Sequence, residues 1–152
     1  MPKSNCKISK YASILYRTHH IYFDEALRPF DIGGGQQFFL LRIYESPGIS
    51  LLELAQTGNY DKGTTARAVQ KLSDRGYIRC ETDSLDKRLH RLYPTEHAVA
   101  VVNATYHAIN QWHEILTAGF TAEETSEAEA LMGRMAEQAH AYIVKRKNKK
   151  EQ

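Results

Sequence analysis

Residues 50–76 read SLLELAQTGNYDKGTTARAVQKLSDRG, and the punctuation of this stretch decides the fold. Ser50-Leu51-Leu52-Glu53 has the form of a capping box: the Ser oxygen takes an orphan amide of the first turn and the Glu reaches back to the cap. It predicts a short helix from Leu51 to about Thr57, with Leu51, Leu54 and Ala55 on one face. Gly58-Asn59-Tyr60 reads as a turn, and Asp61 as the N-cap of a second helix from Lys62 to about Asp74. Gly76 is placed to end that helix in a left-handed conformation. A short helix, a tight turn and a second helix form the helix-turn-helix pattern.

Downstream, Tyr77 to Thr82 reads as a strand, Asp83 to Arg88 as a polar turn and Leu89 to Tyr93 as the return strand. Pro94-Thr95 starts a long helix from Glu96 to about Ala118. A second capping box, Thr121-Ala122-Glu123-Glu124, opens a last helix running to about Lys145. Upstream, Ile8, Ala12, Leu15, Tyr22 and Ala26 predict a first helix from about Ile8 to Leu27, broken by Pro29 and Gly33-Gly34-Gly35. A helix from Gln36 to about Glu45 carries Phe38, Leu41 and Tyr44 and stops before Pro47-Gly48. The expected fold is mainly α with a small β-hairpin wing: a winged helix-turn-helix over 33–94, flanked by helices over 1–32 and 95–152, in a single unit.

At 152 residues, with 42% hydrophobic and 25% charged residues, the chain has the size and make-up of one globular domain. No run approaches the ~18 apolar residues of a membrane span. The polar stretch from Met1 to Lys7 lacks the apolar core of a secretory leader, which predicts a cytoplasmic protein. In that compartment Cys6 and Cys80 are expected as thiols rather than a structural disulfide. No CxxC or HExxH occurs, and the adjacent His19 and His20 point to different faces of a helix, so no metal site is expected. Gly33-Gly34-Gly35 lacks the Lys-Ser/Thr of a phosphate loop, and Glu123, Glu124, Glu127 and Glu129 serve a helix N-terminus. Neither an enzyme nor a cofactor is expected.

The net charge of +2 says little, but its distribution says more. Lys or Arg stands at 62, 67, 71, 75, 79, 87, 88 and 91, against acids only at 74, 81, 83 and 86. The segment from Thr121 to Ala141 is acidic apart from Arg134, and the tail from Lys145 to Lys150 is basic. A polyanion met by the middle of the chain fits this pattern. In a helix-turn-helix the second helix enters the major groove of duplex DNA. With Ala66, Val69 and Leu72 as the inward stripe, Lys62, Thr64, Thr65, Arg67, Gln70 and Lys71 form the outward face. Arg and Lys suit guanine, Gln suits adenine, and Thr suits phosphate or a thymine methyl. Solvent alone also selects polar faces on surface helices. The basic hairpin tip that follows has no packing purpose and suits an arginine in the minor groove.

Glu53-Leu54-Ala55, Leu72 to Gly76, Asp86-Lys87-Arg88 and Thr95-Glu96 together resemble the MarR family of winged helix-turn-helix transcriptional regulators. In that pattern the recognition helix ends in Leu-x-x-x-Gly, the wing carries Asp-x-Arg, and Leu-Thr-Glu leads into a dimerisation helix. Pro94 departs from the leucine, and Ala98 from a frequent glycine. The resemblance implies that Arg88 is the minor-groove arginine, with Lys87 beside it, and that Asp86 holds the wing in shape. It implies a homodimer, which the apolar residues of the terminal helices also call for, among them Tyr11, Leu15, Trp112, Leu131, Met135 and Tyr142. It implies repression from a pseudo-palindromic operator, relieved by a small phenolic or aromatic anion, with Arg17, His20, Tyr44 and Trp112 as pocket residues by type and position. Two alternatives stand beside it: a thiol sensor using Cys6 near Lys3, Lys7 and Lys10, and a winged module that contacts protein.

Overall fold

A computed structural model describes residues 5–152. Its elements are α1 (Ile8–Ala26), a 3-10 turn (Arg28–Phe30), α2 (Gln37–Glu45), β1 (Ile49–Ser50), α3 (Leu51–Thr57), α4 (Lys62–Asp74), β2 (Ile78–Thr82), β3 (His90–Pro94), α5 (Ala98–Leu116) and α6 (Ala122–Lys150). The limits of α3 and α4 are those their caps predict. The Ser50 hydroxyl accepts the Glu53 amide at 3.1 Å while the Glu53 carboxylate accepts the Ser50 amide at 2.9 Å. Asp61 accepts the Thr64 amide at 2.7 Å. Gly76 stops α4 with φ +75, a backbone conformation that disfavours any residue with a Cβ.

The wing has a third strand that the sequence reading lacks. The sheet order is β1-β3-β2, antiparallel throughout, with Ile49 opposite Leu92 and Cys80 opposite Leu92 on the other side. Pro94 closes β3 opposite Ile78, beyond the reach of β1, whose last partner in that direction is Leu92. Its missing N–H therefore removes no bond from the β1 side of the ladder.

The chain divides into two compact units, one ending at Trp112 and one from His113 to Gln152. In the first, Phe23 and Leu27 of α1, Phe39, Leu40 and Ile43 of α2, Leu54 of α3 and Leu72 of α4 share one buried cluster. Ile78, Leu92 and the Ala98, Val101 and Val102 face of α5 complete it. In the second, α6 buries none of its residues, and Leu131, Met132, Met135, Tyr142, Ile143 and Val144 are exposed. Among the described residues no helix is long and apolar enough to cross a membrane.

Candidate nucleic-acid interface

The buried stripe of α4 is Thr65, Ala68 and Leu72, with Val69 half-buried, rather than Ala66, Val69 and Leu72. Steps of three and four from Thr65 keep one face of a helix against the core. Two expectations change with this one-residue rotation. Thr65 is fully buried, and its hydroxyl donates to the Asp61 carbonyl at 2.9 Å, so its side chain is not available to a base edge. Ala66, expected inside, is exposed. The outward face then consists of Gly63, Ala66, Arg67 and Gln70, with Lys62 at the N-terminal end and Thr64 at the flank. Lys71 is half-buried and lies on the other flank, lining a cleft with His20, Asp24, Arg28 and Asp31.

Several of these polar groups are held in place. The Thr64 hydroxyl donates to Asp61 at 2.9 Å, and an Arg67 guanidinium nitrogen donates to that hydroxyl at 3.2 Å. The Gln70 amide donates to Asp74 at 2.8 Å. At the far end of α4, Arg75 pairs with Asp31 at 2.6 Å and the Tyr77 hydroxyl donates to the Phe30 carbonyl at 2.7 Å. Both fasten the helix to the 3-10 turn.

The wing loop, residues 83–89, is organised by two aspartates. Asp83 accepts the amides of Leu85 at 2.8 Å and Asp86 at 3.0 Å, an Asx turn. Asp86 in turn accepts the Arg88 amide at 3.0 Å. Arg91 donates to Asp83 at 2.5 Å and to the Gly48 carbonyl at 3.0 Å. Asp83 is held well below the ordinary carboxylate range, at about 2, by the Arg91 hydrogen bond first and then by the Asp86 and Leu85 amides. Lys87 and Arg88 are both exposed, and among the described residues the Arg88 guanidinium makes no ion pair or hydrogen bond. Lys62 and Arg88 line one cleft of about 240 Å³, with Ser50, Leu52, Leu89 and His90. The start of α4 and the wing thus face a common space.

A profile described as the MarR family matches residues 35–90. The chain is 36% identical over 105 residues to an uncharacterized HTH-type transcriptional regulator, YybA, of Bacillus subtilis, covering 69% of this chain and 70% of that one. The crystal structure of a MarR transcriptional regulator from Methanosarcina mazei is 36% identical, with a TM-score of 0.78 over 87% of this chain and 95% of that one. The chain belongs to the MarR family. A MarR protein from Peptoclostridium difficile, 31% identical, follows the same path with a TM-score of 0.89 over 95% of both chains.

In this MarR chain the four expected pocket residues stand on three helices, Arg17 and His20 on α1, Tyr44 on α2 and Trp112 on α5. His20 lines a cleft of about 430 Å³ with Asp24, Arg28, Asp31, Gln36 and Lys71. Arg17, Tyr44 and Trp112 are absent from its lining. Trp112 stacks on Tyr22 at 4.7 Å between ring centres, Arg17 is exposed and bonds to Ser13, and Tyr44 is exposed on α2. His20 packs edge-on to Tyr16 at 4.6 Å. Cys6 and Cys80 are exposed, and Lys3 lies outside the described residues. The sequence reading missed Asp83, Arg91 and Ala66. Asp83 carried a signal, since an aspartate opening a polar turn favours an Asx turn. Arg91 carried none, because its partners stand 8 and 43 residues away.

Proposed function

We propose that this chain is a DNA-binding transcriptional regulator, with α4 in the major groove and Arg88 in the adjacent minor groove. The observation that carries the reading is the cleft lined by both Lys62 and Arg88. One phosphate backbone passes there, between the two grooves that the helix and the wing enter. Arg67 and Gln70 then face base edges, and the small side chains of Gly63 and Ala66 let the helix approach closely. Alanine in such a place suits a thymine methyl. Lys62 and Lys87 contact phosphate, Asp86 shapes the turn that presents Arg88, and Thr64 steadies Arg67. Its relative YybA, an uncharacterized HTH-type transcriptional regulator, supports this reading.

The working unit is a two-fold homodimer. The exposed apolar residues of α6 and of the first turns of α1 call for a partner of the same chemistry, and a second copy supplies it. Such a dimer sets two recognition helices about 34–36 Å apart, which matches successive major grooves on one face of DNA. Its operator is pseudo-palindromic, and occupancy of a promoter by so broad a footprint represses transcription. The test is equilibrium binding to a duplex selected from a randomised pool, compared with Arg88→Ala and Arg67→Ala. Both variants should bind more weakly while keeping the parent's thermal midpoint. Parent-like affinity in both would overturn the reading and favour a protein-contact module.

A further inference from the structure

We infer that Asp83 and Arg91 form a strut that positions the wing, so that their contribution to DNA binding is delivered through Arg88. The inference rests on the DNA-binding reading above. Arg91 stands in the middle strand of the sheet, opposite Ser50 on β1 and Glu81 on β2. From there its guanidinium spans two loops, with Nε on Asp83 at 2.5 Å and another nitrogen on the Gly48 carbonyl at 3.0 Å. Gly48 is fastened to the same strand a second time, its amide donating to the Leu92 carbonyl at 2.7 Å. The wing loop and the loop that leads into α3 are therefore clamped to β3 by one side chain.

The clamp governs the wing because both carboxylate oxygens of Asp83 are engaged in it. One carboxylate oxygen takes Arg91 and the other takes the Leu85 and Asp86 amides. Asp86, placed by that turn, accepts the Arg88 amide. A continuous chain of hydrogen bonds thus runs from Gly48 through Arg91, Asp83 and Asp86 to the backbone of Arg88. The Asp83 side chain is only 14% exposed and Arg91 35%, so neither is a free cation or anion awaiting phosphate. Asp83 is the main partner that favours the charged form of Arg91, and the Glu53 carboxylate of the α3 capping box adds a smaller attraction. Arg91 is consequently a positioning residue, although it is a cation in the wing beside Arg88.

A double-mutant cycle separates positioning from simple stabilisation or direct phosphate contact. Affinity for a selected duplex would be measured for the parent, Asp83→Asn, Arg88→Ala and the double variant. Asp83→Asn removes a negative charge, so direct electrostatics alone would raise affinity for DNA. Positioning predicts the opposite: a loss of roughly threefold to a hundredfold, the range of coupled neighbours. In the Arg88→Ala background the same change should cost less than twofold. Amides of residues 85–88 should also exchange with solvent faster in Asp83→Asn. Losses that multiply independently, or unchanged or improved affinity in Asp83→Asn, would overturn the strut while leaving the DNA reading intact. Parent-like binding by Arg88→Ala would overturn the strut, and the DNA reading with it if Arg67→Ala also binds like the parent. Should Asp83→Asn fail to fold, Arg91→Lys serves in the same cycle, since one ammonium cannot span from Asp83 to the Gly48 carbonyl as the planar fork does.

Discussion

Thr65 and Gln70 show how residue type alone misleads about a helix face. Both suit base recognition, yet Thr65 is fully buried and Gln70 is exposed. Thr65→Ala should therefore cost stability, about 1–2 kcal/mol for a buried methyl and hydroxyl, with base preference unchanged. Urea unfolding and a panel of single-base operator variants check the two halves of that expectation. Gln70→Ala should leave stability within about 0.5 kcal/mol and relax preference at one base position by about 1–3 kcal/mol. An equal loss on every duplex would exclude a base-reading role for Gln70. The sequence misplaced Thr65 because a run of small residues, Gly63-Thr64-Thr65-Ala66, offers almost no contrast in hydropathy. The stripe is set instead by the step from Ala68 and Leu72, which a reading through Ala66 shifts by one residue.

Elements whose boundaries are written by caps were legible, and elements defined by distant partners were not. Both capping boxes lie where the sequence puts them, around Ser50 and Thr121. Ser50→Ala should lower stability by about 1 kcal/mol in urea unfolding, since it frees the orphan amides of α3. β1 has two residues, and only its pairing with Leu92 and Arg91 makes it a strand. No local pattern announces that. The wing's main ion pair was equally hidden, and it carries a pH signature. Folding lowers the Asp83 carboxyl from 3.8 to about 2, so the pair's stabilisation is complete above about pH 4 and fades as pH falls toward 2. Between pH 4 and 2 the thermal midpoint should fall more steeply in the parent than in Asp83→Asn, followed by circular dichroism. Parallel curves would mean that the pair adds nothing to folding.

The whole molecule is a winged helix-turn-helix on a buried core, with a long helix at its end that buries nothing of its own. Along α6, Ala128, Leu131, Met135, Ala139 and Tyr142 recur at three- and four-residue steps, so they share one side of the helix. Such a stripe, on a helix of 29 residues that buries none of them, is the part of the chain that a second copy should cover. Leu131→Asp with Met135→Asp should give a monomer in sedimentation and a loss of operator affinity, while the α3–α4 region keeps its fold. A dimer that survives both changes would place the interface elsewhere. The measurement that bears most directly on the central claim is a salt series of equilibrium binding to a selected duplex, with random duplex as competitor. A regulator that reads bases through α4, sets Arg88 in the minor groove and holds phosphates with Lys62 and Lys87 should lose affinity steeply as salt rises. It should also prefer the selected site by about 10³ or more. Binding that is weak, nearly independent of salt, or competed equally by random duplex would contradict the account.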